Sequence, residues 1–247
     1  MRKLFYSFVM CLLAGMMVSC NEEAYNFVEP ENAVIKGTVV PEMKSANGQK
    51  VSTIDDIVNW TGTGENRSVL SIQWAEAAGS ANSVRFLAWG YKWNGSAVGL
   101  DMITAVAKQD SRLYVVLAEA WNQIVIKGFG YDGNGDGHIT VSNASLTLTE
   151  ADFVDGIYIE KSGDDFDDMK TADAADLWMG GWKHAYASYW VGTPGVNVPA
   201  SFSYSNFAAS SQKLQNNSWD AWTFSTINSS HVNVNPRPDL LEAAPMN

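Results

Sequence analysis

From Val69 to Trp74 and again from Val84 to Trp93 the chain runs in β-branched and aromatic residues. Between the two runs, Glu76 to Ser83 is small and polar. Apolar runs flanking a polar break predict two strands joined by a loop. The period then changes. Leu100, Ile103, Val106 and Ala107 recur at three- and four-residue spacing, which predicts a short helix over about 99–109 with one apolar face. Strand patterns return at Leu113–Leu117, Ile124–Phe129, His138–Val141 and Leu146–Leu148, with a Gly/Asn/Asp turn over 132–137. The last third reads as aromatic strand at Trp178–Val191, Phe202–Tyr204 and Ala221–Ser225. No repeat at solenoid or propeller spacing interrupts this pattern. Many short strands, frequent turn signals and one helix predict a mainly β, β-sandwich-like domain with one short α-helix.

The first 50 residues follow other rules. Arg2 and Lys3 precede an apolar run from Leu4 to Val18. It is shorter than the roughly 20 residues of a membrane-spanning helix and suits a signal-peptide core. The run ends in Met17-Val18-Ser19-Cys20, which resembles a lipobox, with Met17 where leucine is usual. The expectation is a bacterial lipoprotein: 1–19 a cleaved signal, and Cys20 the lipidated first residue. Asn21-Glu22-Glu23 resembles the surface-export signal of Bacteroidetes lipoproteins, although a solvated acidic linker has the same composition. Residues 20–50 carry Glu22, Glu23, Glu29, Glu31, Pro30 and Pro41 with little apolar periodicity, and predict a lipidated tether. Residues 51–247 then form a single ligand-binding domain, long enough for a substantial core. Localisation follows as the outer membrane, lipid-anchored and facing the cell exterior.

Composition narrows the function classes. The only cysteines are Cys11 and Cys20. The first leaves with the signal and the second takes the lipid, so the mature domain has no disulfide and no cysteine metal site. There are 16 basic and 27 acidic residues, and two of the basic ones lie in the leader. Nucleic acid is excluded as a partner, because phosphate binding needs clustered Lys and Arg. No further long apolar segment follows, so contact with the membrane is expected only through the lipid, and a monomer is expected. Enzyme signatures are scarce. The histidines are His138, His184 and His231, and no Gly-x-Ser-x-Gly, His-Glu-x-x-His or phosphate-loop pattern occurs. Asp164, Asp165, Asp167 and Asp168 read as a solvated loop. The chain therefore reads as a binding protein and not an enzyme.

Two features remain as candidate sites. Asp132, Asn134 and Asp136 match positions 1, 3 and 5 of a calcium loop, with Gly137 at the sharp turn. Position 12 is Asn143 instead of the bidentate Glu, and a Gly/Asn/Asp hairpin turn uses the same residues. The stronger signal is aromatic. The chain has 10 tryptophans. Trp89, Tyr91 and Trp93 share one parity, as do Trp178, Trp182, His184, Tyr186 and Trp190. In a strand each set lies on one face, either in the core or as a stacking platform for a flat ligand. Glycines interleave both sets, at Gly90, Gly180 and Gly181, which favours exposure of at least one stripe. His184 adds an imidazole able to coordinate cobalt or iron, or to serve as a hydrogen-bonded structural histidine.

Several motifs are also familiar together. They are Thr53-Ile54-Asp55-Asp56, Leu87-Ala88-Trp89-Gly90-Tyr91-Lys92-Trp93, Gly128-Phe129-Gly130-Tyr131-Asp132 and Ser218-Trp219-Asp220-Ala221-Trp222. With these, residues 53–225 resemble a set of exported bacterial proteins, and most closely the small cobalamin-binding surface lipoproteins of Bacteroidetes. In the usual form of the last motif glycine stands where Ala221 does. The resemblance implies capture of a scarce cofactor, cobalamin (vitamin B12), for delivery to a TonB-dependent outer-membrane transporter. It supplies no residue-level site. The candidate ligand-binding set is thus the aromatic one, with Trp219 and Trp222 added. A carbohydrate-binding lipoprotein stacking sugars on the same rings is the alternative.

Overall fold

The computed structural model describes residues 48–74, 85–226 and 234–246. The expected signal, Cys20 and the expected tether up to residue 47 lie outside these, as do the polar stretch Glu76–Ser83 and His231. In chain order the strands are β1 (Trp60–Gly62), β2 (Asn66–Trp74) and β3 (Arg85–Trp93), followed by helix α1 (Gly99–Gln109). Then come β4 (Leu113–Ala120), β5 (Gln123–Tyr131), β6 (Thr140–Ser142), β7 (Thr147–Thr149), β8 (Ile157–Ile159) and β9 (Lys170–Thr171). The chain ends with β10 (Leu177–Gly180), β11 (Ala185–Gly192), β12 (Phe202–Tyr204), β13 (Ser218–Thr226) and β14 (Leu241–Ala243).

The domain is mainly β and sandwich-like, as the pattern predicts. A seven-stranded sheet runs β1-β3-β2-β13-β11-β12, with β14 also on β3. A four-stranded sheet runs β10-β5-β4-β8, and a small third sheet runs β7-β6-β9. The central core lies between the first two sheets. Leu70, Ile72, Leu87, Trp89 and Phe224 meet Val115, Ile126, Phe129 and Tyr131 there. Helix α1 closes this layer with Ile103, Val106 and Ala107 of the face its spacing predicts, joined by Met102, while the predicted Leu100 is only partly buried against it.

Both large sheets are also covered on their far sides. Behind the seven-stranded sheet, Val69, Phe86, Trp190 and Trp219 pack under Val51, Ile54 and Ile57 of the N-terminal segment. Behind the four-stranded sheet, Tyr114, Val116 and Tyr158 pack against Ile139, Val141 and Leu148 of the third. A strand buried on both faces does not alternate between apolar and polar. That is why β2 is buried almost throughout.

Two sequence expectations fail here for physical reasons. Trp178–Val191 is not one strand. It breaks after Gly180 into β10 and β11, which belong to different sheets. Gly181 sits at φ +143°, where a Cβ would press on Asp167 Oδ1 and the Ala185 carbonyl. The parity linking Trp178 and Trp182 to Tyr186 and Trp190 therefore does not carry across. The acidic run is also not wholly solvated: Asp167 is buried.

Candidate functional site

Most of the predicted aromatic residues are core. Trp89, Trp93, Trp190 and Trp219 are 1%, 7%, 5% and 0% exposed. Each has its indole N–H satisfied internally: Trp89 donates to Asp110 at 2.8 Å, Trp93 to Ser68 Oγ at 3.0 Å, Trp190 to Thr223 Oγ1 at 2.9 Å and Trp219 to the Gly195 carbonyl at 2.8 Å. These four are corrected from ligand-facing to structural. Tyr91 is half-buried against the same core. Gly90, which suggested exposure, does the opposite: a Cβ there would overlap the Trp60 indole lying on it. The glycine lets a ring pack flat on backbone. Trp178 is likewise a packing residue, half-buried against the third layer.

The structure brings Trp182, Tyr186 and Trp222 together in an open cleft of about 420 Å³, between the inner face of β11 and the tip of the β4–β5 hairpin. Trp121, Tyr189, Tyr204 and Phe207 complete its aromatic lining, and Gln123, Ser205 and Asn206 are its polar lining residues. The size falls within the roughly 300–1,000 Å³ of small-molecule sites, which are mostly apolar with a few placed polar groups. The neighbouring cavity of about 430 Å³ at Glu119 and Ile159–Gly163 lacks aromatic lining.

Trp121 is the most telling residue of the cleft. It is 77% exposed, at the first of the two loop residues between β4 and β5. Trp121 and Asn122 have φ +49° and +61°, the pattern of a type I′ turn. Asn is suited to that conformation. Trp is not, and a bulky residue there costs on the order of 1–3 kcal/mol. An exposed indole held in a strained backbone points to a use outside folding.

Trp182 is pinned from several sides. Asp167 Oδ1 accepts the backbone N–H groups of Trp182, Lys183 and His184 at 3.1, 3.0 and 2.8 Å, which fixes the turn before β11. Lys127 lies over the Trp182 ring at 4.7 Å and is itself held by Glu160 at 2.7 Å. The Trp121 ring lies 5.4 Å from that of Trp182, tilted by 38°. On the opposite rim Phe207 is 62% exposed. Ser205 positions it, accepting the Phe207 N–H and donating to its carbonyl.

No family model matches the chain, and neither does any curated protein or solved structure.

The floor is built differently from the rim. Tyr189 and Trp222 stack face to face at 4.5 Å and 4°, and are 5% and 3% exposed. Tyr189 donates a short hydrogen bond to the fully buried Asp220. Burial pushes the Asp220 carboxyl up to about 7, against a partial lowering by that bond. Burial, then the neighbouring Asp220, raises the Tyr189 phenol as well. Tyr204 is raised first by burial and then by Tyr186, with which it shares a hydrogen bond. The floor is thus protonated and uncharged at Tyr189 and Tyr204 over the physiological range.

His184 does not join this cleft. It is exposed, with Nδ1 2.9 Å from Asp168, and is absent from the lining. Sequence reasoning missed Trp121, Tyr189, Tyr204 and Phe207. One signal was available for Trp121: a tryptophan in the short gap between the predicted strands Leu113–Leu117 and Ile124–Phe129.

The calcium candidate has the geometry of a turn. Asp132 is buried, and its two carboxylate oxygens accept the N–H groups of Gly135 and Gly137 at 2.6 and 2.7 Å. Asn134 Oδ1 and Asp136 Oδ1 each accept the amide two residues on, at 2.9 Å. Asp173 and Asp176 stand opposite: Asp173 accepts from the Asn134 amide and Asp176 from the Gly133 N–H. Burial, with Asp132, Asp173 and Asp136 adding to it, pushes the Asp176 carboxyl up to about 6. Among the described residues no set of three acidic or imidazole groups converges as a metal site. The oxygens are turned onto the loop's own amides, as in a Gly/Asn/Asp turn.

Proposed function

We propose that this chain is a lipid-anchored surface protein that captures a broad, partly apolar small ligand, cobalamin first among them, and hands it to a TonB-dependent transporter. The observation that carries the binding role is the exposed, strained Trp121 facing the pinned Trp182. An exposed indole and a half-buried one, both held in place, are preorganised for a flat ligand, and rigidity of this kind lowers the entropy cost of binding. A corrin is flat and partly apolar, with an amide fringe, so aromatic faces and a few polar partners suit it. It is larger than the cleft and would seat one edge, leaving the rest free for a transporter to grip.

The test is a titration of cyanocobalamin into the soluble domain, followed by tryptophan fluorescence, for wild type and Trp182→Ala. Saturable binding by wild type that Trp182→Ala weakens at least tenfold supports the reading. Binding of oligosaccharides instead, weakened by the same variant, would transfer the cleft to the carbohydrate alternative.

A further inference from the structure

The described buried indoles are satisfied with care. Besides Trp89, Trp93, Trp190 and Trp219, Trp74 donates to the Phe129 carbonyl at 3.1 Å and Trp60 to the Ile57 carbonyl at 2.7 Å. Trp222 is different. Its Nε1 has under 1 Å² of accessible surface and no hydrogen-bond partner. The other such indole, Trp178, is outside the cleft lining, whereas Trp222 forms part of its floor. A buried donor without an acceptor is rare in folded proteins and calls for an explanation.

Several polar groups of the cleft lining are already engaged. Ser205 Oγ is used by the backbone of Phe207. Gln123 Oε1 accepts from Ser211 Oγ at 3.2 Å. The carbonyls of Ala208 and Ala209 accept amides of Ser211 and Leu100. The Tyr189 hydroxyl is committed to Asp220. Trp222 Nε1 is therefore the buried donor of the lining that is left unused.

We propose that Trp222 Nε1–H is the specificity-determining donor of the cleft, and that it takes an acceptor, an amide carbonyl on the edge of an uncharged ring ligand. Nε1 has almost no accessible surface of its own, so the carbonyl displaces part of the lining to reach it. This proposal rests on the binding role given above and deepens it.

The test uses cyanocobalamin with wild type, Trp222→Phe and Trp182→Ala, all checked for folding by thermal melting. Trp222→Phe keeps a six-membered ring to stack on Tyr189 and removes the N–H together with the rest of the indole's second ring, which the melting curve checks. The expected result is about tenfold weaker binding in Trp222→Phe, the size of one hydrogen bond lost. In parallel, the wild-type Trp222 indole resonance, observed in protein labelled with ¹⁵N-tryptophan, should move downfield on saturation. That measurement stands even if Trp222→Phe does not fold. If Trp182→Ala loses binding while Trp222→Phe binds like wild type, or if the Trp222 N–H does not move, this proposal is overturned and the binding role survives. If wild type does not bind cyanocobalamin at all, both fall.

Discussion

Replacing Trp121 with glycine separates binding from folding. The residue holds φ +49°, a conformation that costs an L-residue about 1–2 kcal/mol and glycine almost nothing. Against that gain stands the extra unfolded-state freedom of glycine, up to about 1 kcal/mol. The lost ring contact with Trp182, at 5.4 Å, adds about 0.5–1.5 kcal/mol. With 77% of the residue already in water, little other burial is at stake. These opposing effects leave Trp121→Gly within about 1 kcal/mol of wild type, a shift of no more than roughly 2–4 °C in Tm. A core tryptophan behaves otherwise: Trp219→Ala, at 0% exposure, should cost about 3–5 kcal/mol. Losing an aromatic anchor from the cleft should cost binding about 2 kcal/mol, roughly 30-fold in Kd. Paired melting curves and cyanocobalamin titrations measure both. A Tm loss as large as that of Trp219→Ala, or an unchanged Kd in a well-folded Trp121→Gly, would refute the assignment of this residue to the ligand.

Other perturbations address other parts of the chain. Asp220 is held protonated to about 7, above its ordinary 3.8, so between those values the folded state keeps a proton that the unfolded state has released. Stability from this group is therefore fully present at low pH and lost as pH rises through 7, with an upper limit of roughly 4 kcal/mol. Melting curves from pH 5 to 8 should fall with rising pH, and Asp220→Asn should flatten that fall; Asp176, raised to about 6, leaves a residual slope of the same sign. A wild-type Tm that rises over this range contradicts the argument. Cys20→Ala should release the protein from the membrane fraction, and unchanged sedimentation with membranes would end the lipoprotein reading. Chelator should leave Tm unaltered, because the Asp132 oxygens are already satisfied by amides; a calcium-dependent rise in Tm that Asp136→Ala abolishes would restore the metal site.

What the sequence disclosed was whatever one element could reveal by itself. Helix α1 showed because its apolar face repeats at helical spacing, and β2 and β3 because their runs are long. The sidedness of the tryptophans was hidden, because parity tells which residues share a face but not whether that face is covered. Both faces of the seven-stranded sheet are covered here, so parity places Trp89 and Trp93 together and leaves their burial open. Asp167 was hidden for another reason. Its neighbours Asp165 and Asp168 pair with Lys183 and His184 at the surface, and nothing in the run marks the one carboxylate that turns inward to three amides.

On the proposed reading, the cleft divides its work between rim and floor. At the rim the exposed Trp121 and Phe207 rings would gain by shedding water, and so supply affinity with little regard to the ligand's substituents. Affinity of that kind requires that the rings not collapse on each other. The type I′ turn holds Trp121, while the Asp167 turn and the Lys127–Glu160 pair hold Trp182, and the two rings stay tilted at 38° instead of stacking. The floor carries the polar information. Tyr189 and Trp222 stack on each other, and Asp220 takes the Tyr189 hydroxyl, which leaves the Trp222 N–H as the unpaired group. A ligand lacking an acceptor would bury that donor for good, and the cost of an unmet buried donor, about 1–3 kcal/mol, would count against it. Discrimination in this cleft thus rests on what a wrong ligand leaves unsatisfied more than on added contacts to the right one.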